Sequence, residues 1–390
     1  MTLRTALEAI DMDETVRLLQ ALVRIPSPAG DEGRIAAFAE EYAGARGLAV
    51  RRDPHHNVLI TLGGAEPGPT TLFLAHFDSS GPGTMTDPYE AAVADGASYG
   101  KSGPVVRGLG AGAPTASGAA MRGAAAAARR LGFPRRGTVL VAIVTKDNYV
   151  NHDGPRELLG DLAIEVDQTI AGEPTENRIV LGARGINQIQ IALSGTPTHR
   201  GRPAGGANPI YALIEVLDAI ERLDLPTDPI LGPATVAAFD IRCDVASPRT
   251  PGRVAVSVDR RTLPAEQGTA AVDAIRQAVE RAVAGRPGVS VTVELTRALH
   301  SWRTAPDSPI VRYVGRVARE ALGLELETAF IPFGSNVGYA IAERGWPGIA
   351  LGPGNIADIG DQEHVAIASV ERATRLYTAL MAHASPGGSE

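Results

Sequence analysis

Residues 71–78, TLFLAHFD, read as a buried strand that ends in His76-x-Asp78, and this stretch decides how the rest of the chain is read. Residues two apart in a strand point to the same face, so the His76 imidazole and the Asp78 carboxylate share one side of the strand tip. A carboxylate placed there orients the ring, which is how metal-ligating histidines are usually fixed. Two further apolar runs, NVLITLG (57–63) and GTVLVAIVT (137–145), read as buried strands, and an Ala-rich helix is predicted over 116–131. Upstream, 14–24 and 31–46 have helical periodicity, with Asp31 placed as the N-cap of the second helix. Strands alternating with helices predict an α/β fold: a mixed, mainly parallel sheet flanked by helices. Active residues in such sheets gather just beyond the strand ends. His76, Lys146, Asp147, Asn148 and Glu173 all stand at such exits.

From about residue 185 the pattern changes. INQIQIALSG reads as a strand, NPIYALIEVLDAIERL as a helix, TVAAFDIRCDV and RVAVSVDRR as strands, AEQGTAAVDAIRQAVERAVA as a helix and VSVTVELTRA as a strand. That order, β-α-β-β-α-β, is the split βαβ module. It predicts an inserted α+β domain over 185–297, with 1–184 and 298–390 forming the outer α/β domain. The apolar helix faces and edge strand of the insert predict a homodimer.

The bulk composition sets limits. A chain of 390 residues is long enough for two domains, and 44% hydrophobic with 21% charged residues is ordinary for a soluble protein. A net charge of −7 with interspersed signs argues against nucleic-acid and anionic-membrane partners. The lone cysteine, Cys243, rules out an intramolecular disulfide and a cysteine-based zinc site, and reads as a small buried hydrophobe in a strand. The first residues carry acids where a signal peptide needs a basic and then an apolar run, and no window approaches ~18 consecutive apolar residues. A cytoplasmic protein is the expectation. The abundance of Ala, Gly and Arg over Lys suggests a GC-rich bacterial source.

Five pieces in order carry a resemblance: LVRIPSPAGDEGRIAAF (22–38), the His76-x-Asp78 strand end, AGEPT (171–175), GTPTHRGRPAGGANPI (195–210) and GPGNIADIGDQEHV (352–365). Together they resemble the aminoacylase, carboxypeptidase G and succinyl-diaminopimelate desuccinylase family of zinc-dependent peptidases and amidohydrolases, over nearly the whole chain. The resemblance implies a catalytic domain and an inserted lid and dimerisation domain. It also implies two zinc ions that polarise an amide and acidify a water. One ion would be held by the strand-end His, a bridging Asp and the Glu of the GEPT motif. The other would be held by the bridging Asp, one Glu of a pair and a C-terminal His.

Carried over by position, His76, Asp78 and Glu173 match. The bridging acid falls on Ala113, the acid pair on Asp147 and Asn148, and the C-terminal histidine on Ile359. Ala113 and Asn148 are 35 apart (148 − 113), the spacing that the family shows between those two ligands. A shifted register would place Val105 at the bridging position, and neither register supplies an acid. A stable zinc site needs about three or four ligands. The expectation is therefore no metal cofactor, or at most one zinc or similar divalent ion on the remnant ligands His76 and Glu173.

The expected catalytic residues are Asp147 as general base, His199, His76 and Lys146, whose ammonium reads either as filling a cation's charge space or as a solvated loop lysine. His199 matches the family histidine that reaches a partner's site and stabilises the oxyanion. Asn208, Arg261, Gly334, Ser335, Asn336, Glu173 and Asn148 are the expected substrate contacts; capping or interface contacts are the competing reading for Asn208 and Arg261. His152 reads either as a substitute ligand or acid–base group or as an ordinary loop histidine, and His364 as a residue near the site. GLGAGAPTASG (108–118) lacks the Lys-Ser/Thr of a phosphate loop, and Ser27 and Ser117 lack a histidine–acid context.

Three functions stay open. The first is an enzyme acting on a small amino-acid-derived or N-acyl amide substrate by metal-independent acid–base chemistry. The second is a single-metal amidohydrolase. The third is a catalytically silent binding or partner subunit.

Overall fold

The computed structural model describes residues 7, 10–112, 114–146, 153–160, 164–244, 248–266 and 268–383. The chain divides into two compact units, one of residues 1–182, 303–330 and 335–390, the other of 183–302 and 331–334. In the first unit the chain runs α1 (Met12–Val23), α2 (Gly33–Gly44), β1 (Ala49–Arg52), β2 (Val58–Gly63), β3 (Glu66–His76), β4 (Ala92–Asp95) and β5 (Pro104–Arg107). It continues through α3 (Pro114–Arg130), β6 (Arg136–Val144), α4 (Asp153–Leu159), β7 (Gln168–Ala171) and β8 (Ile179–Ala183). The second unit holds β9 (Gly185–Ser194), α5 (Pro209–Glu221), a short ribbon β10 (Thr227–Asp228) and β11 (Gly232–Pro233), then β12 (Thr235–Asp244), β13 (Arg253–Thr262), α6 (Ala270–Val283) and β14 (Ser290–Leu299). After it come β15 (Trp302–Arg303), α7 (Pro309–Leu322), β16 (Thr328–Ile331), α8 (Val337–Arg344), β17 (Gly348–Ala350), β18 (His364–Ala366) and α9 (Ile367–His383).

The main sheet has the order β1-β2-β6-β3-β7-β17-β8-β15, with β16 beside β8. Its centre is parallel: β3 pairs in parallel with β6 and β7, and β7 with β17. Parallel neighbours end on the same edge, so the segments after His76, Val144, Ala171 and Ala350 leave the sheet together. Backbone bonds lock the exits in step: Phe77 N–H to Val144 O at 2.8 Å, Gly172 N–H to Leu74 O at 2.8 Å and Leu351 N–H to Ala171 O at 2.8 Å. This is the α/β architecture the sequence predicts, a mixed sheet flanked by helices.

One face of the sheet, with Phe73, Val141, Ile170 and Ile349, packs into a core shared with α1, α2, α3, α7 and α9. The small side chains of α3 permit that. A Cβ on Gly123 would stand 2.6 Å from Thr15 Oγ1, so α1 and α3 approach more closely than larger residues allow. Asp31 is not the N-cap of α2. Its N–H bonds Pro28 O at 2.9 Å, and Glu32 precedes the helix with its carboxylate turned inward, accepting from Gly30 N–H and Lys146 N–H, each at 2.9 Å. A buried acceptor that ties two loops together has displaced the local cap.

Among the described residues, Arg122 on α3 is a buried charge with no acidic partner. It is 1% exposed; Nε donates to Gly118 O at 2.9 Å, the guanidinium lies 5.5 Å from the Phe77 ring, and Nη1 is buried without a hydrogen bond to any described residue. Burial pushes its pKa down to about 10. The acid Glu14 is already engaged by Arg46 at 2.6 Å and Arg130 at 3.1 Å. Replacing a buried ion by an apolar residue of similar volume is often neutral or stabilising. Arg122→Met is therefore expected to hold or raise the thermal midpoint, whereas Arg122→Ala lowers it by leaving a cavity. Equal losses in both variants would show that the guanidinium stabilises the fold.

The second unit is an antiparallel sheet, β12-β13-β9-β14, with α5 and α6 on one face. Ile189, Ile191, Leu193, Val254, Val256 and Val258 meet Leu213, Val216, Ile275 and Val279. β12 is an edge strand. Cys243 lies on it and is exposed, not buried, because nothing among the described residues covers that edge.

Candidate functional site

The site is built at the common strand exit of the first unit. His76 ends β3, 8% exposed, and Asp78 is fully buried. His76 Nδ1 lies 3.1 Å from Asp78 O and 3.2 Å from Asp78 Oδ1. Both partners are acceptors, so Nδ1 carries the ring proton and Nε2 is the acceptor nitrogen. The orientation inferred from the His-x-Asp spacing is thus formed. Ser27 Oγ donates to Phe77 O at 3.0 Å and Ser79 N–H to Ser27 O at 2.9 Å, which stitches the 27–32 loop to the strand tip.

Glu173 follows β7 and is 8% exposed. Gly172 before it is required by packing: a Cβ there would stand 2.5 Å from Ser117 Cβ. Ser117 Oγ is buried. The Tyr377 hydroxyl donates to Leu351 O at 2.5 Å, and burial first, then the charge of Glu173, drives it far above the usual phenol range. Ser117 and Tyr377, absent from the sequence-derived site, therefore pack beside Gly172 and Glu173. A lone serine on an Ala-rich helix and a tyrosine near the C-terminus carry no local signal of this.

Lys146 has a left-handed backbone, φ 57°, pinned by Glu32. Its ammonium lies 3.4 Å from Glu157 Oε1 on α4, an oxygen that His55 Nδ1 approaches at 3.3 Å. Asp147, Asn148, His152 and Ala113 lie outside the described residues. Ser335 and Asn336 are each 2% exposed at the start of α8; Ser335 Oγ accepts from Val337 N–H at 3.3 Å, and the Asn336 side chain makes no cap bond.

The loop 352–363 closes the same region. Glu363 is 3% exposed, and its Oε1 accepts from Gly112 N–H at 2.9 Å. His364 sits on β18, with Nδ1 2.8 Å from Gln362 O and its ring 4.7 Å from that of Tyr99. Asp358 lies 3.7 Å from His364 Nε2 and 2.7 Å from Lys101 Nζ. Ile359, next in sequence, is 37% exposed.

The remaining residues belong to the second unit. His199 is exposed, and its Nδ1 accepts from Gly201 N–H at 3.1 Å, which leaves the proton on Nε2. Asn208 caps α5, its Oδ1 accepting from Ile210 N–H at 3.1 Å. Arg261 Nε donates to Asp259 Oδ1 at 2.6 Å. Gly334 packs against Leu299 and Ile186, whose side chains would have to shift for a Cβ there, 2.7 Å from Leu299 Cδ1.

Two of the positions onto which the resemblance carries a zinc ligand hold no side-chain donor atom. Position 113 offers a methyl group and position 359 a sec-butyl group, neither of which has a lone pair. Among the described residues, no three His, Cys, Asp or Glu side chains are grouped to hold an ion.

Comparison with known proteins extends across the chain. The family model for peptidase family M20/M25/M40 matches residues 72–383. The uncharacterized protein YgeY of Escherichia coli is 27% identical over 365 residues, 87% of each chain. Succinyl-diaminopimelate desuccinylase of Roseobacter denitrificans is 27% identical over 333 residues, 80% of this chain and 84% of that one. In fold, a tripeptidase from Staphylococcus aureus superposes with a TM-score of 0.75 at 20% identity, over 95% of this chain and 98% of that one.

Proposed function

The chain belongs to peptidase family M20/M25/M40, and from that premise we propose that it is an enzyme acting on a small amino-acid-derived, N-acyl or peptide amide by acid–base chemistry that does not pass through a two-zinc centre. This reading rests on Ala113 and Ile359, the positions onto which the resemblance carries two of the family's ligands, whose side chains cannot bind an ion. His76 with Asp78, Glu173 and the buried loop around Glu363 nonetheless keep an organised polar site at the strand exit.

In this reading Asp147 is the general base and takes a proton from the attacking water. His76 Nε2 and Glu173 orient that water and the substrate, and Lys146 sets the local charge. His199, with Nε2 as donor, stabilises the oxyanion, as a hydrogen-bond donor aimed at developing charge does. Asn148, Asn208, Arg261, Gly334, Ser335 and Asn336 contact the substrate. The names of the relatives, a desuccinylase and a tripeptidase, support an amide of an amino acid or short peptide. The test is turnover of a panel of N-acyl amino acids and dipeptides before and after chelator treatment: activity that survives supports the reading, and activity restored only by added zinc contradicts it.

The second unit serves as the dimerisation domain. Phe239 (59% exposed) and Ile241 (53%) on the β12 edge lie on the element that α5 packs against, and α5 itself exposes Tyr211 (59%) and Ile214 (62%). An unpaired strand edge beside exposed apolar groups fits a second copy of the same surface. Ile214→Glu combined with Ile241→Lys is expected to shift the protein from dimer to monomer in sedimentation velocity. An unchanged sedimentation coefficient would rule this surface out.

A further inference from the structure

A second concave site lies at the other end of the main sheet. A cavity of about 650 Å³ opens where the end of α3 meets β2 and the start of β3, and Glu66 lines it. His76 stands ten residues further along β3 (76 − 66), so at ~3.3 Å per residue roughly 30 Å separate the cavity from the strand exit. The sequence there is RRLGFPRRG (129–137), which places four arginines within eight residues of a chain whose net charge is −7.

Backbone bonds fix the walls. Gly132, with φ 73°, reverses the chain at the end of α3, and Phe133 N–H reaches back to Ala128 O at 2.8 Å. Gly64 N–H donates to Gly137 O at 2.8 Å and Glu66 N–H to Arg135 O at 3.2 Å, which ties the β2–β3 turn to the same segment. Leu62, Phe133 and Pro134 give the cavity an apolar side, and Arg129 and Arg135 a cationic one. Arg129 engages only Nε, at 3.3 Å from Gly47 O, and the Arg135 guanidinium lies 5.7 Å from the Phe133 ring centre. Neither forms an ion pair among the described residues. Arg130, by contrast, reaches Glu14 at 3.1 Å, and Arg136 lies 3.6 Å from Glu66, the one acid among the lining residues. Capping of the Gly47 carbonyl accounts for Arg129 alone; it calls for neither Arg135 nor the apolar hollow beside it.

We propose that this cavity binds a small organic oxyanion, a carboxylate or phosphate monoester carried on a flat apolar body, separately from the substrate of the strand exit. Guanidinium groups recognise such oxyanions through paired N–H donors, and two of them without acids leave the cavity short of negative charge. Its volume falls within the ~300–1,000 Å³ of small-molecule sites, more than an inorganic anion fills. Leu62, Phe133 and Pro134 receive the rest of the ligand, and the Phe133 ring offers it a flat surface.

Isothermal titration calorimetry of the full chain at low salt, with benzoate, phenyl phosphate, benzyl alcohol and inorganic phosphate, tests this. At least one of the two organic anions should bind saturably, about tenfold or more tighter than benzyl alcohol and inorganic phosphate, the margin that charge-assisted hydrogen bonds and an apolar contact each supply. Benzoate as the tighter ligand identifies a carboxylate site, and phenyl phosphate a phosphate-monoester site. Arg129→Gln combined with Arg135→Gln should weaken that binding by about tenfold or more. Ala65→Phe, which fills the cavity from an exposed position and leaves the charge unchanged, should weaken it as well. Both variants lie on the surface and should keep the wild-type thermal midpoint, so that lost binding reports the cavity and not the fold. Three results overturn the proposal: no saturable binding of either organic anion, affinity unchanged in either variant, or equal affinity for inorganic phosphate, which would mean an adventitious ion only.

Discussion

Asp147→Asn is expected to lower kcat/KM by about 10²–10⁴-fold, the usual contribution of a positioned general base, while the fold and the thermal midpoint stay close to wild type. Asn has nearly the same shape as Asp and cannot accept a proton, so the substitution isolates the acid–base role from packing. Asp147 directly follows Lys146, whose backbone is held by the buried Glu32 carboxylate at the end of β6. Lys146→Met provides the companion measurement: with its ammonium engaged by Glu157 on α4, losing it should cost less than losing the base. An Asp147→Asn variant within a few-fold of wild type would remove Asp147 from the mechanism, as would an unaltered acid limb in its pH profile.

The largest effect on stability is expected from Phe73→Ala. Phe73 is fully buried in β3, the strand between β6 and β7, and its ring stacks edge-to-face on Tyr377 at 5.6 Å and 78°. Truncating a buried Phe costs about 3–5 kcal/mol, and the lost ring pair adds roughly 0.5–1.5 kcal/mol. In a unit of this size that lowers the midpoint of its calorimetric transition on the order of 10 °C. The damage should reach the site, because the Tyr377 hydroxyl also holds Leu351 O where β17 leaves the sheet. The second unit has its own core, and a transition from it should persist at its original temperature. A shift below about 2 °C, corresponding to under 1 kcal/mol, would mean that the sheet repacks around the missing ring.

Long apolar runs made the architecture legible. TLFLAHFD and GTVLVAIVT are too apolar to lie anywhere but inside, and they became β3 and β6, parallel neighbours in register. The alternation along RVAVSVDRR likewise survives as a strand with every second residue buried. Short strands were beyond reach: β4, β5 and β18 are three or four residues each, and β18 pairs with β5 across more than half of the chain. Local rules failed where tertiary partners took over. Asp31 lost its cap to the buried Glu32 carboxylate, and Cys243 is exposed because burial on an edge strand depends on what lies beside it. In the site, the strand-exit residues could be read from sequence because a motif fixes them. The bond from Gly112 N–H to Glu363 could not, because the two are 251 residues apart and no periodicity reports a contact of that range.

The central claim is that this family member works without the two-zinc centre. Metal content per chain, measured by elemental mass spectrometry after incubation with zinc and exhaustive dialysis, tests it most directly. The account predicts near-zero zinc, with turnover unchanged by chelation. About one zinc or more per chain, lost in His76→Ala together with activity, would contradict it and return the hydrolysis to a metal bound at the strand exit.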